Sequence, residues 1–498
     1  MALISISNLT FSYPSSFDEI FKNVNLQIDT DWKLGLIGRN GRGKTTLLKL
    51  LRQERLESKE FDFYDGKIIS ATKFSYFPFE VKNKNLPASD ILSELSPQAR
   101  EWEILREMNF LDMQAELLYQ NFSTLSGGEQ TKLLLIALFL KENNFLLIDE
   151  PTNHLDFNSR KIVSDYLKSK KGYILISHDR NFLDNSVDHI LSINKKNIEL
   201  QKGNFSSYLE NKKLQDEFEL KTNKKLQSEI KTLSASAKKI EGWSNAVEKT
   251  KFNSENDAGG DRGWIGHKSA KMMKRSKNVA RRRSKAIEEK KDLLRNIETV
   301  EEINLNTQDF HKNILGHLKN VSIFYDDKLI TQNFNLEIIK GERICLVGNN
   351  GSGKSSLLKL LTGENIKYTG EFETAKNLKV SYIPQKTNFL KGGLDNFIHE
   401  HDLNETKFKT LLVKLDFSNR QFEKPMEDYS DGQRKKVLIA KSLVEDANLY
   451  IWDEVLNYID IFSRIQLENL ILKENPTMIF VEHDISFREK ISTVLKDI

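Results

Sequence analysis

The sequence contains little that would place the chain in a membrane or outside the cell. It has 1 cysteine and 8 prolines in 498 residues, and its longest apolar run, from Leu133 to Leu140, is eight residues long. A helix that spans a bilayer needs about 20 apolar residues, so no such helix is predicted. The first residues contain neither a basic segment nor a long apolar one, which a secretory signal would have. These absences predict a cytoplasmic protein.

The single cysteine, Cys345, cannot form an internal disulfide or a zinc site built from several thiolates. It lies within an apolar stretch that follows a glycine-ended turn. We therefore predict that Cys345 is a buried core residue.

Charge is distributed unevenly along the chain. Residues 211–300 contain 23 Lys/Arg and 13 Asp/Glu, a net charge of +10, whereas the rest of the chain has a net charge of −6. A basic segment within an otherwise acidic sequence indicates a polyanionic partner for that segment. The alternative is a helix whose charged face is simply solvated.

Two copies of one series of motifs organise the sequence. The string at Gly38–Thr45, GRNGRGKT, recurs as GNNGSGKS at Gly348–Ser355, which is 310 residues later. LLIDE, which ends at Glu150, recurs as YIWDE, which ends at Glu454, and an ISHD string recurs as VEHD. Each copy alternates apolar strands with helical stretches, so the pattern predicts one α/β domain that has been duplicated.

The segment between the copies has a helical pattern. We predict a first domain at 1–208, a linker at 209–305 and a second domain at 306–498. Apolar residues in the second half of the linker recur at intervals of seven, and glycines cluster before them. This pattern predicts a long antiparallel α-helical hairpin whose tip lies at about 250–266.

The repeated GxxxxGK[ST] string is typical of a phosphate-binding loop, in which backbone N–H groups surround phosphate oxygens. Lys44 and Lys354 are predicted to reach the β- and γ-phosphates, and Thr45 and Ser355 to bind Mg²⁺. Two copies, each between a strand and a helix, exclude a chance match.

The repeated Asp-Glu pair at a strand end supplies the second half of such a site. We predict that Asp149 and Asp453 hold Mg²⁺ and that Glu150 and Glu454 orient or deprotonate the attacking water.

The two histidines of the ISHD and VEHD strings, His178 and His483, each follow a strand-like run. They are predicted to contact the γ-phosphate. A lone histidine would more often be structural, but the matched positions in two copies favour the functional interpretation.

LSGGEQ, at Leu125–Gln130, precedes a helical run, and with the motifs above it resembles the signature of ATP-binding cassette (ABC) proteins. The resemblance implies an ATP hydrolase whose two domains close head to tail, so that each signature completes the ATP site of the other domain. It also implies that Tyr13 and Tyr325 stack on adenine, although both could be ordinary strand aromatics. The implied ATP-binding residues are Tyr13, Gly38, Asn40, Gly41, Gly43, Lys44, Thr45, Thr46, Ser126, Gly127, Gly128, Tyr325, Gly348, Asn350, Gly351, Gly353, Lys354, Ser355, Ser356, Gln385, Ser430 and Gly432.

The two sites depart unequally from the family pattern. Gln385 matches the glutamine that contacts Mg²⁺ and water, but Phe79 occupies that position in the first copy. The second signature, YSDGQ, has Asp431 in place of a glycine, and a carboxylate there should repel phosphate. Under head-to-tail closure both changes fall in the site built on Lys44. We therefore predict that the site built on Lys354, completed by the intact first signature, turns over readily, while the Lys44 site holds ATP longer.

Two cassettes joined by a charged helical hairpin resemble the ABC-F family of translation factors. The strings GLIGRNGRGKTTLL and NYID resemble its Lsa/Vga antibiotic-resistance group. That resemblance implies binding to the 70S ribosome, with the linker beside the P-site tRNA and its tip near the peptidyl-transferase centre of 23S rRNA. It further implies protection from lincosamides, pleuromutilins and group A streptogramins, with no membrane domain, no DNA partner and one chain as the functional unit.

Residues 271–285 contain eight basic residues and no acidic one, which suits an RNA backbone better than a lipid surface. Aromatic residues at the tip suit stacking on unpaired bases, although Trp264 could instead cap the hairpin. The predicted RNA-binding residues are Lys251, Phe252, Arg262, Trp264, Lys271, Lys274, Arg275, Lys277, Arg281, Arg282, Arg283 and Lys285.

Three alternatives to ribosome protection stay open from the sequence. The first is a housekeeping ABC-F factor that acts on stalled ribosomes. The second is the ATPase subunit of a transporter, which leaves the basic hairpin unexplained. The third is a DNA-repair or chromosome ATPase, which usually has a much longer coil or a cysteine-rich zinc element.

Overall fold

The structure is a computed structural model that describes most of both copies and part of the segment between them. It describes residues 3–13, 19–53, 64–194, 198–250, 271, 274, 281–282, 310–325, 328–349 and 351–498. The chain divides into one unit, Met1–Tyr208 with Val300–Ile498, and another, Leu209–Thr299.

The first copy alternates strands and helices. Its strands are β1 (Leu3–Ser12), β2 (Glu19–Asp29), β3 (Lys33–Gly38), β4 (Asp65–Ser70), β5 (Lys73–Phe77), β6 (Asn144–Asp149), β7 (Tyr173–Ile176), β8 (His189–Ile193) and β9 (Ile198–Lys202). Its helices are α1 (Lys44–Gln53), α2 (Ala88–Leu95), α3 (Glu101–Phe110), α4 (Gly127–Phe139), α5 (Phe157–Ser169) and α6 (Arg180–Ser186), with 3₁₀ turns at Ala115–Tyr119, Phe122–Thr124 and Pro151–His154.

A long helix, α7 (Phe205–Thr250), follows the first copy in the sequence. The second copy then repeats the first. Its strands are β10 (Ile314–Tyr325), β11 (Lys328–Ile339), β12 (Arg343–Val347), β13 (Lys367–Thr374), β14 (Val380–Ile383), β15 (Leu449–Asp453), β16 (Met478–Val481) and β17 (Val494–Asp497). Its helices are α8 (Lys354–Leu361), α9 (Leu394–Glu400), α10 (Glu405–Lys414), α11 (Asn419–Phe422), α12 (Asp431–Val444), α13 (Ile461–Glu474) and α14 (Ile485–Ile491), with a 3₁₀ turn at Met426–Asp428.

Each copy combines a small antiparallel sheet with a larger, mainly parallel one. The small sheets have the orders β2–β1–β4 and β11–β10–β13. The larger sheets have the orders β5–β6–β7–β3–β8–β9 and β14–β15–β16–β12–β17, and β9 is antiparallel to β8. The predicted fold class, two tandem α/β domains, is confirmed.

Strand composition explains the parallel sheets. Strands with helices on both faces read as continuous apolar runs, and in β6 Leu146, Leu147 and Ile148 are each at most 1% exposed. Because β6, β7 and β3 are neighbours, their carboxyl ends lie side by side. The loops that follow them are therefore brought together at one edge, where ligands of open α/β sheets bind.

Cys345, on β12, is fully buried and forms no disulfide, as predicted. Burial raises the pKa of its thiol to about 12, so it is an inert core residue. Within the described residues, no helix is long and apolar enough to cross a membrane.

The linker is described in part. Helix α7 has 46 residues, which corresponds to a length of roughly 70 Å. Lys271, Lys274, Arg281 and Arg282 are helical and exposed. The predicted tip beyond Thr250, and with it the turn of the hairpin, lies outside the described residues, so the hairpin stays a prediction.

Candidate functional site

The phosphate loops join β3 to α1 and β12 to α8. Gly43 has φ +90°, and a Cβ atom there would lie 2.5 Å from Cγ2 of Ile20, so glycine is required. Gly353 has φ +96° and the same crowding against Ile330 and Thr331. Without side chains at these positions, the backbone N–H groups stay accessible to phosphate.

The ammonium group of each loop lysine is held by backbone carbonyl oxygens of its own phosphate loop. The Lys44 ammonium donates to the carbonyl oxygens of Gly38 at 2.7 Å and Arg39 at 3.2 Å. The Lys354 ammonium donates to those of Gly348 at 2.9 Å and Asn349 at 2.8 Å. Burial lowers the pKa of both lysines.

The other predicted loop residues lie in these two turns or at the start of the following helix. They are Asn40, Gly41, Thr45, Thr46, Gly351, Ser355 and Ser356. Asn350 lies outside the described residues.

A hydroxyl and a carboxylate meet beside each loop. The Thr45 hydroxyl donates to Oδ2 of Asp149 at 2.9 Å, and the Tyr76 hydroxyl donates to the same oxygen at 2.9 Å. In the second copy the Ser355 hydroxyl bonds to Asp453, and burial raises the pKa of both aspartates.

Oδ1 of Asp453 is buried and has no hydrogen-bond partner among the described residues. A buried carboxylate oxygen without a partner is costly, and a hard divalent cation would satisfy it. The donors present, a hydroxyl and carboxylates, therefore fit Mg²⁺.

The two predicted catalytic glutamates have nearly the same backbone geometry. Glu150 has φ 51° and Glu454 has φ 47°, and both lie directly after a strand. Nε2 of His178 lies 3.4 Å from Oε1 of Glu150, and Nε2 of His483 lies 3.3 Å from Oε1 of Glu454. Each glutamate is thus aimed over its phosphate loop with a histidine beside it.

The surroundings of Glu454 stabilise its charged form. Its Oε2 accepts hydrogen bonds from Nε2 of Gln385 at 2.8 Å and Nδ2 of Asn457 at 2.9 Å. Burial raises the pKa of Glu454, but the bonds and charge of His483 and these two amides outweigh that effect and lower it to about 2. Glu454 is a carboxylate at neutral pH.

The surroundings of Glu150 have the opposite effect. Burial, followed by the charge of Asp149, raises the pKa of Glu150 to about 8. Oε1 of Glu150 has no hydrogen-bond partner among the described residues. Phe79 stands in place of the donating glutamine and is half-buried. Burial and the nearby Lys44 lower the pKa of His178 well below its usual value.

The first phosphate loop faces the second signature. A cavity of about 420 Å³ is lined by Asn40, Gly41, Glu150, Asn153 and His178 from the first copy and by Asp416, Phe417, Gln421, Ser430, Asp431, Gly432, Gln433, Lys436 and Tyr458 from the second. Nδ2 of Asn40 donates to the Tyr458 carbonyl oxygen at 3.0 Å. Gly432 is buried, and a Cβ atom there would lie 2.6 Å from that same oxygen. The two copies therefore meet closely across the Lys44 site.

The Lys354 site is more open toward the opposite signature. Its cavity, about 570 Å³, is lined by Tyr325, Ile330, Gly351, Gly353, Lys354, Ser355, Ser356, Gln385, Glu454, Asn457 and His483, with Asn153, Leu155, Asp156 and Arg160 from the first copy. Ser126, Gly127 and Gly128 are not part of that lining in the described chain. The structure thus does not bring the first signature to this cavity, contrary to the expectation.

Both predicted adenine-stacking tyrosines line their cavities. The Tyr13 hydroxyl lies 2.8 Å from Oγ1 of Thr46, and Tyr13 lines a cavity of about 320 Å³ with Lys44 and Asp149. Tyr325 lines the Lys354 cavity and is 44% exposed. Either ring is placed where a base could stack on it.

Asn457, which bonds to Glu454, and Tyr458, which accepts from Asn40, were not predicted as site residues. Asn457 could have been found, because Asn153 stands 304 residues before it and follows the first Asp-Glu pair at the same distance. Nothing in the sequence marks the Tyr458 carbonyl.

Of the predicted RNA-binding residues, the structure describes four, Lys271, Lys274, Arg281 and Arg282, and all are exposed. The others lie outside the described residues: Lys251, Phe252, Arg262, Trp264, Arg275, Lys277, Arg283 and Lys285.

Comparison with known proteins gives a family match. The family described as "ABC transporter" matches residues 21–153 and 331–457, just over half of the chain. The "ATP-binding protein Uup" of Buchnera aphidicola subsp. Schizaphis graminum is 30% identical over 98% of this chain and 79% of its own length. The "Ribosome protection protein VmlR" of Bacillus subtilis is 27% identical over 98% of this chain and 85% of its own.

Among solved structures, the complex of an archaeal ribosomal stalk protein with the ribosome recycling factor aABCE1 gives a TM-score of 0.59. The match covers 96% of this chain and 84% of that chain at 18% identity, which supports the fold alone.

Proposed function

The chain belongs to the ATP-binding cassette family, in its ABC-F branch of tandem-cassette proteins, and from that premise we propose a ribosome-binding ATPase that protects the peptidyl-transferase centre. The observation that carries the proposal is that Lys271, Lys274, Arg281 and Arg282, which lie in the sequence between the two copies, are helical and exposed. The two copies themselves meet across the Lys44 site. ATP binding would draw the copies together, and hydrolysis would release them.

The chain binds and hydrolyses ATP, as its family does. In the Lys354 site the ionised Glu454 is placed to accept a proton from the attacking water, and Gln385 and His483 hold its carboxylate. Lys354 and the loop N–H groups bind the β- and γ-phosphates. Mg²⁺, held by Ser355, Asp453 and Gln385, would neutralise phosphate charge.

In the first copy, Thr45 and Asp149 would hold the corresponding Mg²⁺, without a glutamine. We propose that the Lys354 site is the faster one and that the Lys44 site keeps ATP longer. The hydrogen bonds that Gln385 and Asn457 donate to the Glu454 carboxylate support this order, because Phe79 replaces the glutamine in the first copy. The hydrogen bond from Asn40 of the first copy to the Tyr458 carbonyl oxygen of the second supports a long-lived closed state at the Lys44 site.

The partner proposed for the basic segment is ribosomal RNA. Lys271, Lys274, Arg281 and Arg282 are exposed, so their charges are available to phosphates. The relative named "Ribosome protection protein VmlR", which aligns over 98% of this chain, supports a ribosomal partner. We extend the proposal to the 70S particle, with the linker near the P-site tRNA and 23S rRNA at the peptidyl-transferase centre.

Ribosome co-sedimentation of the Glu150→Gln/Glu454→Gln double variant tests the partner. We expect pelleting with 70S particles that requires ATP and weakens steeply as salt rises, because several phosphate contacts would be made. The charge-removing variant Lys271→Gln/Lys274→Gln/Arg281→Gln/Arg282→Gln should pellet less and have a shallower salt dependence. Absence of ATP-dependent pelleting would contradict the proposal.

Drug susceptibility tests the finer proposal. Expression in a susceptible host should raise the inhibitory concentrations of clindamycin and tiamulin, and substitutions of Phe252 and Trp264 should reduce that protection. The catalytically impaired double variant, expressed at the same level, is the control for ATP dependence. Ribosome binding with unchanged drug susceptibility would instead indicate the housekeeping ABC-F function.

A further inference from the structure

Lys435 is a buried lysine beside the Lys354 site. The sequence motifs described above give it no role. It lies on α12, five residues after the signature residue Ser430, and is 2% exposed. A buried ammonium is unfavourable unless its protons are bound, so the groups that accept from it are informative.

Its acceptors are two backbone carbonyls next to catalytic positions. The Lys435 ammonium donates to the Pro384 carbonyl oxygen at 3.0 Å, and the Asp453 carbonyl oxygen lies 3.5 Å away. Pro384 directly precedes Gln385, and Asp453 directly precedes Glu454. The side chains of those two following residues bond to each other at 2.8 Å. The Lys435 ammonium thus contacts the ends of β14 and β15, the two strands that Gln385 and Glu454 follow.

A buried carboxyl group, that of Glu482, holds the same loop at the Leu456 backbone N–H. Oε1 of Glu482, which is 5% exposed, accepts a hydrogen bond from the Leu456 backbone N–H at 2.9 Å. Glu454 therefore lies between a carbonyl held by Lys435 and an N–H group held by Glu482. The Glu454 backbone is left-handed, with φ 47°, a conformation that non-glycine residues rarely adopt.

The first copy has no equivalent. The positions that correspond to Lys435 and Glu482 are Thr131 and Ser177, both buried. The Ser177 hydroxyl lies 3.4 Å from the Thr152 hydroxyl. The buried lysine and the buried glutamate therefore occur in the copy that also has the glutamine.

We propose that Lys435 is a positioning residue for hydrolysis at the Lys354 site, where it fixes the ends of β14 and β15 so that Gln385 and Glu454 bond to each other. Lys435 does not touch the nucleotide cavity, so its effect is on the rate of the chemical step and not on nucleotide binding. The proposal rests on hydrolysis at the Lys354 site and is independent of the ribosome.

The test compares the rate of ATP hydrolysis of Lys435→Met with that of the protein that retains Lys435, in two background variants. Glu150→Gln leaves the Lys354 site as the intact one, and Glu454→Gln leaves the Lys44 site. In the first background we expect about a tenfold lower single-turnover rate and a nucleotide KM within about twofold. In the second we expect no change. Acid-quench assays with radiolabelled ATP, without ribosomes, resolve these slow rates.

A second variant guards against misfolding. Lys435→Thr/Glu482→Ser introduces the residue types of the first copy, and it should fold and show the same loss of rate. Thr131→Val is the matched control and should change the rate in neither background. Equal losses in both backgrounds would overturn the proposal, because Lys435 would then act through the packing of α12, whose first turn faces the Lys44 site. An unchanged rate in both backgrounds would overturn it as well.

Discussion

Glu150 and Glu454 have nearly the same backbone conformation and a histidine at nearly the same distance, yet their carboxyl groups ionise oppositely. The pKa of Glu454 is lowered to about 2, and that of Glu150 is raised to about 8. Burial raises the pKa of both glutamates, and it prevails at Glu150, where the charge of Asp149 adds to it. At Glu454 the bonds and charge of His483, with the bonds from Gln385 and Asn457, outweigh burial, whereas Oε1 of Glu150 has no hydrogen-bond partner among the described residues. A shared backbone conformation therefore does not by itself fix the ionisation of the glutamate.

The two sites also differ in how the copies meet. At the Lys44 site the second signature lines the cavity, and Asn40 bonds across to Tyr458. At the Lys354 site the first copy contributes Asn153 and Arg160 to the cavity, without its signature in the described chain. The site whose glutamate has the raised pKa is the more closed one, which suits retention of ATP better than turnover.

The largest expected effect is on the general base itself. Glu454→Gln should lower the steady-state kcat of ATP hydrolysis about 1,000-fold, or about 4 kcal/mol, because an ionised base is lost. Glu150→Gln should lower it only about tenfold, because that carboxyl is largely protonated at neutral pH. Both amides match the carboxyl group in shape, so each variant serves as the other's control. A greater loss in Glu150→Gln would reverse the assignment of the two sites.

A smaller effect concerns pH and stability. Burial raises the pKa of Glu482 to about 7 from the model-compound value of 4.5. Its folded pKa lies above its unfolded pKa, so its stabilising contribution is fully present below pH 4.5 and is lost as pH rises to about 7. Glu482→Gln keeps the acceptor for the Leu456 N–H and removes the ionisation.

The free energy of unfolding of Glu482→Gln, measured by urea titration, should therefore rise relative to wild type by about 2–3 kcal/mol between pH 4.5 and pH 8. Glu371→Gln replaces an exposed carboxylate on β13 and should follow the wild-type pH profile. Parallel pH profiles for wild type and Glu482→Gln would show that Glu482 is not the titrating group. The first copy offers no such effect at this position, because Ser177 does not ionise.

Replacement of Gln385 should lower the kcat of ATP hydrolysis less than replacement of Glu454 does. Gln385→Phe gives the Lys354 site the residue of the Lys44 site and removes the 2.8 Å bond to Glu454. Loss of a hydrogen bond to a charged group costs about 2 kcal/mol, so kcat should fall roughly 30-fold. Phe79→Gln in the Glu454→Gln background should raise the residual rate a few-fold. A rate unaffected by either exchange would remove the glutamine from the explanation of the asymmetry.

Much of the site could be predicted from the sequence because it is carried by local motifs at strand ends. The phosphate loops, the Asp-Glu pairs and the histidines each follow a buried apolar strand, and the order β6–β7–β3 brings those ends together. Their repetition at matched offsets excludes a chance match, which a single copy would not do. Alignment of the two copies also shows that Phe79 and Asp431 differ from the residues at the matching positions, Gln385 and Gly127.

What could not be predicted depends on packing between distant segments. Lys435 reads in the sequence as one of three basic residues after the signature, and its contact with Pro384 follows only from how α12 packs on β14. The ionisation of Glu150 depends on burial by surrounding elements. The second signature lines the Lys44 cavity, whereas the first signature does not line the Lys354 cavity. This difference depends on how the two copies pack against each other, so it cannot be predicted from either copy alone.

The smallest expected effect concerns Asp431, which lines the Lys44 cavity in place of a glycine. Its carboxylate is 54% exposed and lies 3.7 Å from NH1 of Arg434, so water and the arginine weaken its repulsion of phosphate. Asp431→Gly should therefore tighten ATP binding at the Lys44 site by only about fivefold, or about 1 kcal/mol.

The measurement is a titration with a fluorescent ATP analogue in a Lys354→Ala background, where binding reports on the Lys44 site. Asp428→Ser removes an exposed carboxylate that lies just before the signature and does not line the cavity, so it should not change the affinity. Because the interaction is between partly solvated charges, the gain from Asp431→Gly should shrink as salt rises. A gain that is independent of salt would point to backbone freedom at the signature instead, since glycine at position 431 also changes the first turn of α12.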